Sequence, residues 1–295
     1  MKLVLAILTV VASVASMNLA VADWPQYRGS SGTGKVAGEL KVPNWNQATP
    51  QVLWKTETPL GFSSFAVSEG RAFTLVGEDA DGQPREVCLA LDAATGEELW
   101  SVPLGDRDYG HDGGNAGAKD NRGGDGPRGT PTTDGSHVYV YDAHLVLSCL
   151  DSKTGEVVWQ TDVVEDYDGR NIKWLNATSP VLREGVLYVG GGGPGQSFLA
   201  INKQDGSLIW KSGDELITHA TPAYATINGV DQLVYFVQSG LVSVAASTGK
   251  ELWRTSFPFS VSTAASPVVD GDLVYCSAGY GVGAGLFRAT GDIEA

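Results

Sequence analysis

Four segments of the chain end alike: LALDAATGEELW (89–100), LSCLDSKTGEVVW (147–159), FLAINKQDGSLIW (198–210) and VSVAASTGKELW (242–253), each with a Gly four residues before a Trp. With Trp54 added, the tryptophans at 54, 100, 159, 210 and 253 are separated by 46, 59, 51 and 43 residues. That spacing is close to the ~40–50 residues of one four-stranded propeller blade. A unit of this size cannot bury its apolar face alone and must stack on its neighbours. No helical period of 3.6 competes with the repeat. The expected class is therefore all-β, a propeller of four-stranded blades.

The chemistry of the motif is local. An apolar strand ends at Asp92, whose carboxylate can bond the N–H groups of the turn, and Gly96 supplies the positive φ that starts the next strand. Asp151 with Gly155 repeats this, and Gly206 and Gly249 hold the same place after Asn202 and Ala245. Trp100, Trp159, Trp210 and Trp253 then fall on the outermost strand of each blade, where a large ring can fill the gap between fanned blades. They are expected to be largely buried blade-docking residues. The inner strand of a blade often opens with Ser/Thr-Pro: Thr130-Pro131, Ser179-Pro180, Thr221-Pro222 and Ser266-Pro267. Proline has no ladder donor and suits an innermost edge. The second strands, at 71–76, 137–141, 186–189, 233–237 and 273–276, are rich in Val, Leu, Tyr and Phe.

Five blades follow, at 62–103, 128–163, 178–212, 219–256 and 263–295. Residues 51–58, with Trp54, read as an outer strand lacking a blade of its own, so the segment 23–61 carries a ring-closing strand. The last repeat stops just past Thr290-Gly291, before any Trp. Five visible blades, the last incomplete, imply a fragment of a larger ring.

The N-terminus has the pattern of a secretory leader: Lys2, an apolar stretch over 3–15, and Ala20-Val21-Ala22 as a cleavage site before Asp23. The apolar run is too short to span a membrane, and no later stretch could do so. A periplasmic or secreted location follows. The 34 acids against 20 bases, a net charge of -14, argue against a nucleic-acid partner. Three cysteines at 88, 149 and 276 form no C-x-x-C motif and sit in apolar runs, so they read as buried small hydrophobes.

The motif D-x-x-T-G-x-x-x-W resembles the tryptophan-docking repeat of pyrroloquinoline-quinone (PQQ)-like β-propellers. From DWPQYRG (23–29) through GDGPRGTPTTDG (124–135) to YCSAGYGVGAGL (275–286), the chain is similar to exported PQQ-like propeller proteins of planctomycete-type bacteria. The resemblance implies a seven- or eight-bladed ring. Two branches share that fold. Quinoprotein alcohol dehydrogenases hold PQQ with calcium, a vicinal disulfide and a carboxylate base, whereas this chain has no adjacent cysteines. BamB-type assembly propellers bind partner proteins without a cofactor and are lipoproteins with a Cys at the cleavage site, where this chain has Asp23.

Other motifs yield little chemistry. The run Gly190 to Gly195 matches G-x-G-x-x-G but precedes a strand rather than the helix that would hold a pyrophosphate. The glycines at 279–285 read as a loop for the same reason. The insertion 105–128 is rich in Asp and Asn yet lacks the Gly and Glu of an EF-hand and reads as a solvated acidic loop. Asp79-x-Asp81-Gly82 and Asp166-x-Asp168-Gly169 read as turns. Strand alternation places the insertion, the linker 165–176 and the loops 77–84, 190–195 and 277–285 on one rim of the channel. Arg122, Arg128, Arg170, Lys173 and Trp174 are the candidate contact residues there. The expected function is a non-catalytic binding or scaffolding module for a protein or small-molecule ligand, with no cofactor and no catalytic or metal residues assigned. The alternative is a piece of a PQQ- and calcium-dependent oxidoreductase acting on alcohols or sugars.

Overall fold

A computed structural model of the chain describes residues 23–36, 44, 46, 50–109, 126–260 and 263–289. The leader-like residues 1–22, Arg122 and most of the acidic insertion, and Thr290-Gly291 lie outside the described residues. The strands form five antiparallel sheets in which sequence order is spatial order. The first holds β1 (Ala66–Ser68), β2 (Arg71–Ala80), β3 (Gln83–Asp92) and β4 (Glu98–Asp106). The second holds β5 (Thr132–Thr133), β6 (His137–Tyr141), β7 (Val146–Asp151) and β8 (Val157–Asp162). The third holds β9 (Val181–Arg183), β10 (Val186–Gly190), β11 (Gly193–Asn202) and β12 (Leu208–Glu215). The fourth holds β13 (Ala223–Ile227), β14 (Val230–Val237), β15 (Gly240–Ala245) and β16 (Glu251–Ser256). The fifth has three strands among the described residues, β17 (Val268–Asp270), β18 (Leu273–Ala278) and β19 (Gly283–Arg288). These sheets are the blades of a β-propeller.

Turn chemistry sets the hairpins. Glu69-Gly70, Asp81-Gly82, Glu184-Gly185 and Asn228-Gly229 are two-residue loops in which both residues have positive φ. That geometry matches the right-handed twist of the flanking strands. The two middle strands of each of the first four blades are buried on both faces, because a blade is packed between two others, and so they read as near-continuous apolar runs rather than alternating ones. The core is correspondingly divided among the blade interfaces. Phe73, Leu75 and Cys88 meet Val138, Val140 and Leu150. Tyr139, Tyr141 and Leu147 meet Leu187, Val189 and Leu199. Tyr188 and Phe198 meet Leu233, Tyr235 and Val242, and Phe236 and Leu241 meet Val274 and Cys276. All three cysteines are buried and unpaired.

Two local features differ from the sequence expectation. Residues 51–58 form no strand, and Val52 and Leu53 are 76% and 67% exposed. No described strand lies alongside to complete a ladder, and the indole of Trp54 anchors the segment instead. The linker after β8 contains one short helix, α1 (Val163–Tyr167), capped where Asp162 Oδ1 accepts from the N–H groups of Val164 and Glu165. No helix among the described residues is long and apolar enough to cross a membrane.

Candidate functional site

Trp54, Trp100, Trp159 and Trp210 each dock on the next glycine turn along the chain. A Cβ placed on Gly96 would lie 2.4 Å from Trp54, on Gly155 2.9 Å from the Trp100 ring, on Gly206 2.6 Å from Trp159, and on Gly249 2.4 Å from Trp210. Only glycine admits the ring so closely. The indole N–H groups of Trp54, Trp100, Trp159 and Trp210 donate to the carbonyls of Ala93, Ser152, Lys203 and Ala246 in those same turns, at 3.1, 3.2, 3.1 and 2.9 Å. The turn itself is tied by its aspartate: Asp92 Oδ1 accepts from the N–H groups of Ala94 and Thr95, and Asp151 Oδ1 from those of Lys153 and Thr154. Those backbone donors, Thr95 and Thr154 first, hold both carboxyls below the usual carboxylate range.

Burial and partner vary along the series. Trp100 is buried, whereas Trp54, Trp159, Trp210 and Trp253 are half-buried, because each lies on an outer edge that still meets solvent. Trp253 also has a different partner. Its indole donates to Gln232 Oε1 of its own blade at 2.7 Å, and no described glycine turn of a following blade lies against it.

A second set of contacts links the inner edges of the first four blades. Ser64 N donates to Thr130 Oγ1, Thr130 N to Ser179 Oγ, and Ser179 N to Thr221 Oγ1, at 3.3, 2.9 and 2.9 Å. Three of these hydroxyl residues precede Pro131, Pro180 and Pro222. Proline holds the preceding residue extended, which presents its hydroxyl to the blade before it. The recurring Ser/Thr-Pro pair is the sequence signal for this belt, its hydroxyl making the contact and its proline setting the backbone. At one mouth, residues 24–26 cross three inner strands in turn. Trp24 pairs with Val67, Pro25 O accepts from Thr133 N, and Gln26 Oε1 accepts from Leu182 N.

The long connections gather at the opposite mouth. The Arg107 guanidinium donates to Gly77 O and pairs with Asp79, while Arg170 N donates to the carbonyls of Gly191 and Gly192. Arg128 Nη1 donates to Trp174 O at 2.7 Å, and its guanidinium stands 5.4 Å from the Tyr109 ring centroid. Lys173 Nζ is 5.4 Å from the Trp174 ring, which meets His219 edge-on at 6.4 Å. The fold thus brings Arg128, Lys173 and Trp174 together and leaves the exposed Arg170 on the adjoining loop.

Sequence reasoning missed the ionisable groups beneath this rim. Glu86, buried in β3, accepts from Tyr109 Oη at 2.6 Å and from Ala143 N at 3.1 Å. Burial, and then the neighbouring Asp142, push its carboxyl up to about 7. Asp142 accepts from the N–H groups of His144 and Val146 and is raised by burial to about 6. His219 lies 3.0 Å from Leu175 O, and burial followed by the Arg128 charge lowers its imidazole to about 4. The signal for Glu86 was a single acid at the head of the apolar run VCLAL (87–91); for the others none was local.

These features define the class as a tryptophan-docked β-propeller. A family model described as outer membrane protein assembly factor BamB matches residues 83–294, and the chain belongs to that PQQ-like propeller family. Among curated relatives, the outer membrane protein assembly factor BamB of Yersinia pestis is 25% identical over 168 residues, 56% of this chain and 37% of the relative. The chain therefore spans little more than a third of that relative's length. Among solved structures, BamB from Moraxella catarrhalis superposes with a TM-score of 0.56 at 14% identity, over 82% of this chain and 66% of that one. Quinohemoprotein alcohol dehydrogenase from Comamonas testosteroni superposes with a TM-score of 0.62 at 15% identity, over 90% of this chain and 46% of that one. At these identities the two structures establish the shared propeller fold.

Proposed function

We propose that this chain is an extracytoplasmic, non-catalytic binding or scaffolding module whose long-loop rim contacts a protein partner. The observation that carries the reading is the cluster of Arg128, Lys173 and Trp174 at the channel mouth, with Arg170 exposed beside it. Arginine and tryptophan are the residue types that anchor interfaces, and loops held by a rigid scaffold are where binding groups concentrate. Membership in a family described by outer membrane assembly, together with the leader-like residues 1–22, supports a location outside the cytoplasm.

The oxidoreductase alternative needs PQQ held with calcium. Calcium takes about six to eight oxygen ligands, carboxylates prominent among them. The described channel cavity of about 260 Å³ is lined by Ser64, Thr130, Ser179 and Thr221 with Arg128 and His219, and by no carboxylate. Three of those hydroxyls already accept N–H groups from the neighbouring blade, and Glu86 and Asp142 accept their own donors. These residues do not fit the calcium-held group, and no step through it follows.

The test is affinity capture from an envelope extract, comparing the wild type with the Arg170→Glu/Lys173→Glu double variant. Both positions are exposed, so the variant should melt with the wild type and lose the captured partner. Equal capture by both would overturn the rim reading. Stoichiometric PQQ retention in equilibrium dialysis with calcium, with dye reduction by an alcohol or sugar, would replace it with the oxidoreductase one.

A further inference from the structure

The mouth opposite the rim holds a cavity of about 110 Å³ between residues 26–33 and the inner strands of blades three to five. Two guanidiniums line it, Arg28 and Arg183, with the rings of Tyr27 and Tyr224. No Asp or Glu lines it, in a chain with 34 acids against 20 bases. Arg183 is half-buried, and burial lowers the affinity of its guanidinium for the proton. Its Nη1 donates to Leu182 O at 2.8 Å and its Cζ stands 5.4 Å from the Tyr224 ring centroid. Arg28 Nη2 reaches Thr33 O at 3.4 Å. Neither arginine makes an ion pair among the described residues. Ser266 lines the same cavity, and its Oγ is buried with no hydrogen-bond partner among the described residues. A cation drawn out of water calls for more than the single carbonyl that each arginine bonds, and the buried Ser266 hydroxyl has no acceptor among the described residues.

We propose that this cavity binds a carboxylate between Arg28 and Arg183, with Ser266 as a further donor. The surroundings select a carboxylate over a phosphate. The N–H groups of Gly29, Gly32 and Gly34 donate to Gln26 O, Gly29 O and Arg28 O within the loop, so they make no nest of the kind that surrounds phosphate oxygens. Two planar guanidinium forks match the two oxygens of a carboxylate. At about 110 Å³ the cavity lies below the roughly 300 Å³ at which pockets begin to enclose a drug-sized ligand. It therefore takes one acid group on a short stem, either the end of an extended peptide or a small free acid. This site stands at the opposite mouth from the rim and does not depend on the partner proposed there.

Titration calorimetry on the whole chain at constant ionic strength tests the proposal with four probes: succinate, acetyl-trialanine as the free acid, the same peptide as its C-terminal amide, and inorganic phosphate. Succinate or the free-acid peptide should bind and the amide should not; which of the two acids binds identifies the source of the carboxylate. Arg183→Met keeps the apolar stem and removes the charge, and should weaken binding by about tenfold or more, the loss expected for a hydrogen bond to a charged group. Arg28→Gln, nearer the surface, should weaken it comparably and serves as the second variant should Arg183→Met fold poorly. Absence of binding by both acids, amide binding equal to the acid, phosphate binding tighter than either acid, or wild-type affinity in both variants would overturn the proposal.

Discussion

Replacing Gly249 with Ala tests whether the blades are held by tryptophan docking. Two costs arise. Gly249 has φ +72°, and an L-residue in the left-handed region costs roughly 1–2 kcal/mol. The new Cβ would also stand 2.4 Å from Trp210 Cε3 and 2.8 Å from Cζ3, so the indole must leave the turn. Leaving breaks the 2.9 Å bond from Trp210 Nε1 to Ala246 O, a loss of about 1 kcal/mol. It also exposes part of a half-buried ring, a further ~1–2 kcal/mol. The total is about 3–5 kcal/mol. Gly229 supplies the control within the same blade, because its φ is +78° and nothing lies within 4 Å of its added Cβ. Gly229→Ala should therefore cost only the backbone part, roughly 1–2 kcal/mol. Urea unfolding at matched m-values measures both. In a Trp210→Ala background, Gly249→Ala should fall close to the backbone cost, since the ring is gone and the nearest group left to the new Cβ is the rotatable Ser212 hydroxyl at 2.9 Å. Costs for Gly249→Ala and Gly229→Ala within about 0.5 kcal/mol of each other would refute the docking argument, because additivity holds to roughly that level. An unchanged Gly249→Ala cost in the Trp210→Ala background would refute it equally.

Glu86 should make stability fall as pH rises. Folded, it keeps its proton up to about pH 7, whereas unfolded it releases it near its ordinary 4.5, so between those values the folded state binds more protons. The slope reaches about 1.4 kcal/mol per pH unit, and Glu86→Gln should flatten it in unfolding curves taken at pH 5 to 8; an equally steep variant would count against the buried carboxyl. His219 acts with the opposite sign: neutral when folded down to about pH 4 and protonated near 6.5 when unfolded, it contributes stability that is lost as pH falls across that window. Its ring resonances should titrate near 4, and a midpoint at 6.5 would show that it is solvated. The thiols of Cys149 and Cys276 are pushed up by burial to about 12 and 11, and that of Cys88 higher still. A chromogenic disulfide reagent at pH 8 should leave all three unmodified in the native protein and titrate them in urea; rapid native modification would contradict their burial.

Features whose chemistry closes within a few residues were legible in the sequence. The run Asp92 to Trp100 announces a strand, a tied turn, a glycine and an outer strand, because the carboxylate of Asp92 bonds N–H groups two and three residues ahead. The Asp-Gly and Asn-Gly hairpins at 81–82 and 228–229 are local in the same way. What each tryptophan meets is not local. Trp100 docks on the turn of Ser152, 52 residues away, and nothing inside a repeat distinguishes its own glycine from that of the next. Trp253, likewise four residues after a glycine, bonds Gln232 within its own blade. The expected outer strand at 51–58 failed for the same cause, since a strand needs a partner and period alone does not supply one. The rim shows both levels: strand alternation indicated the face that carries Arg128, Lys173 and Trp174, but Tyr109, Glu86 and Asp142 met beneath it through three separate elements. The repeat, its turns and the all-β class could be read from the residues because they follow from contacts along the chain. The docking partners, the hydroxyl belt and the cavity of Arg28 and Arg183 could not, because they depend on contacts across blades between residues far apart in the chain.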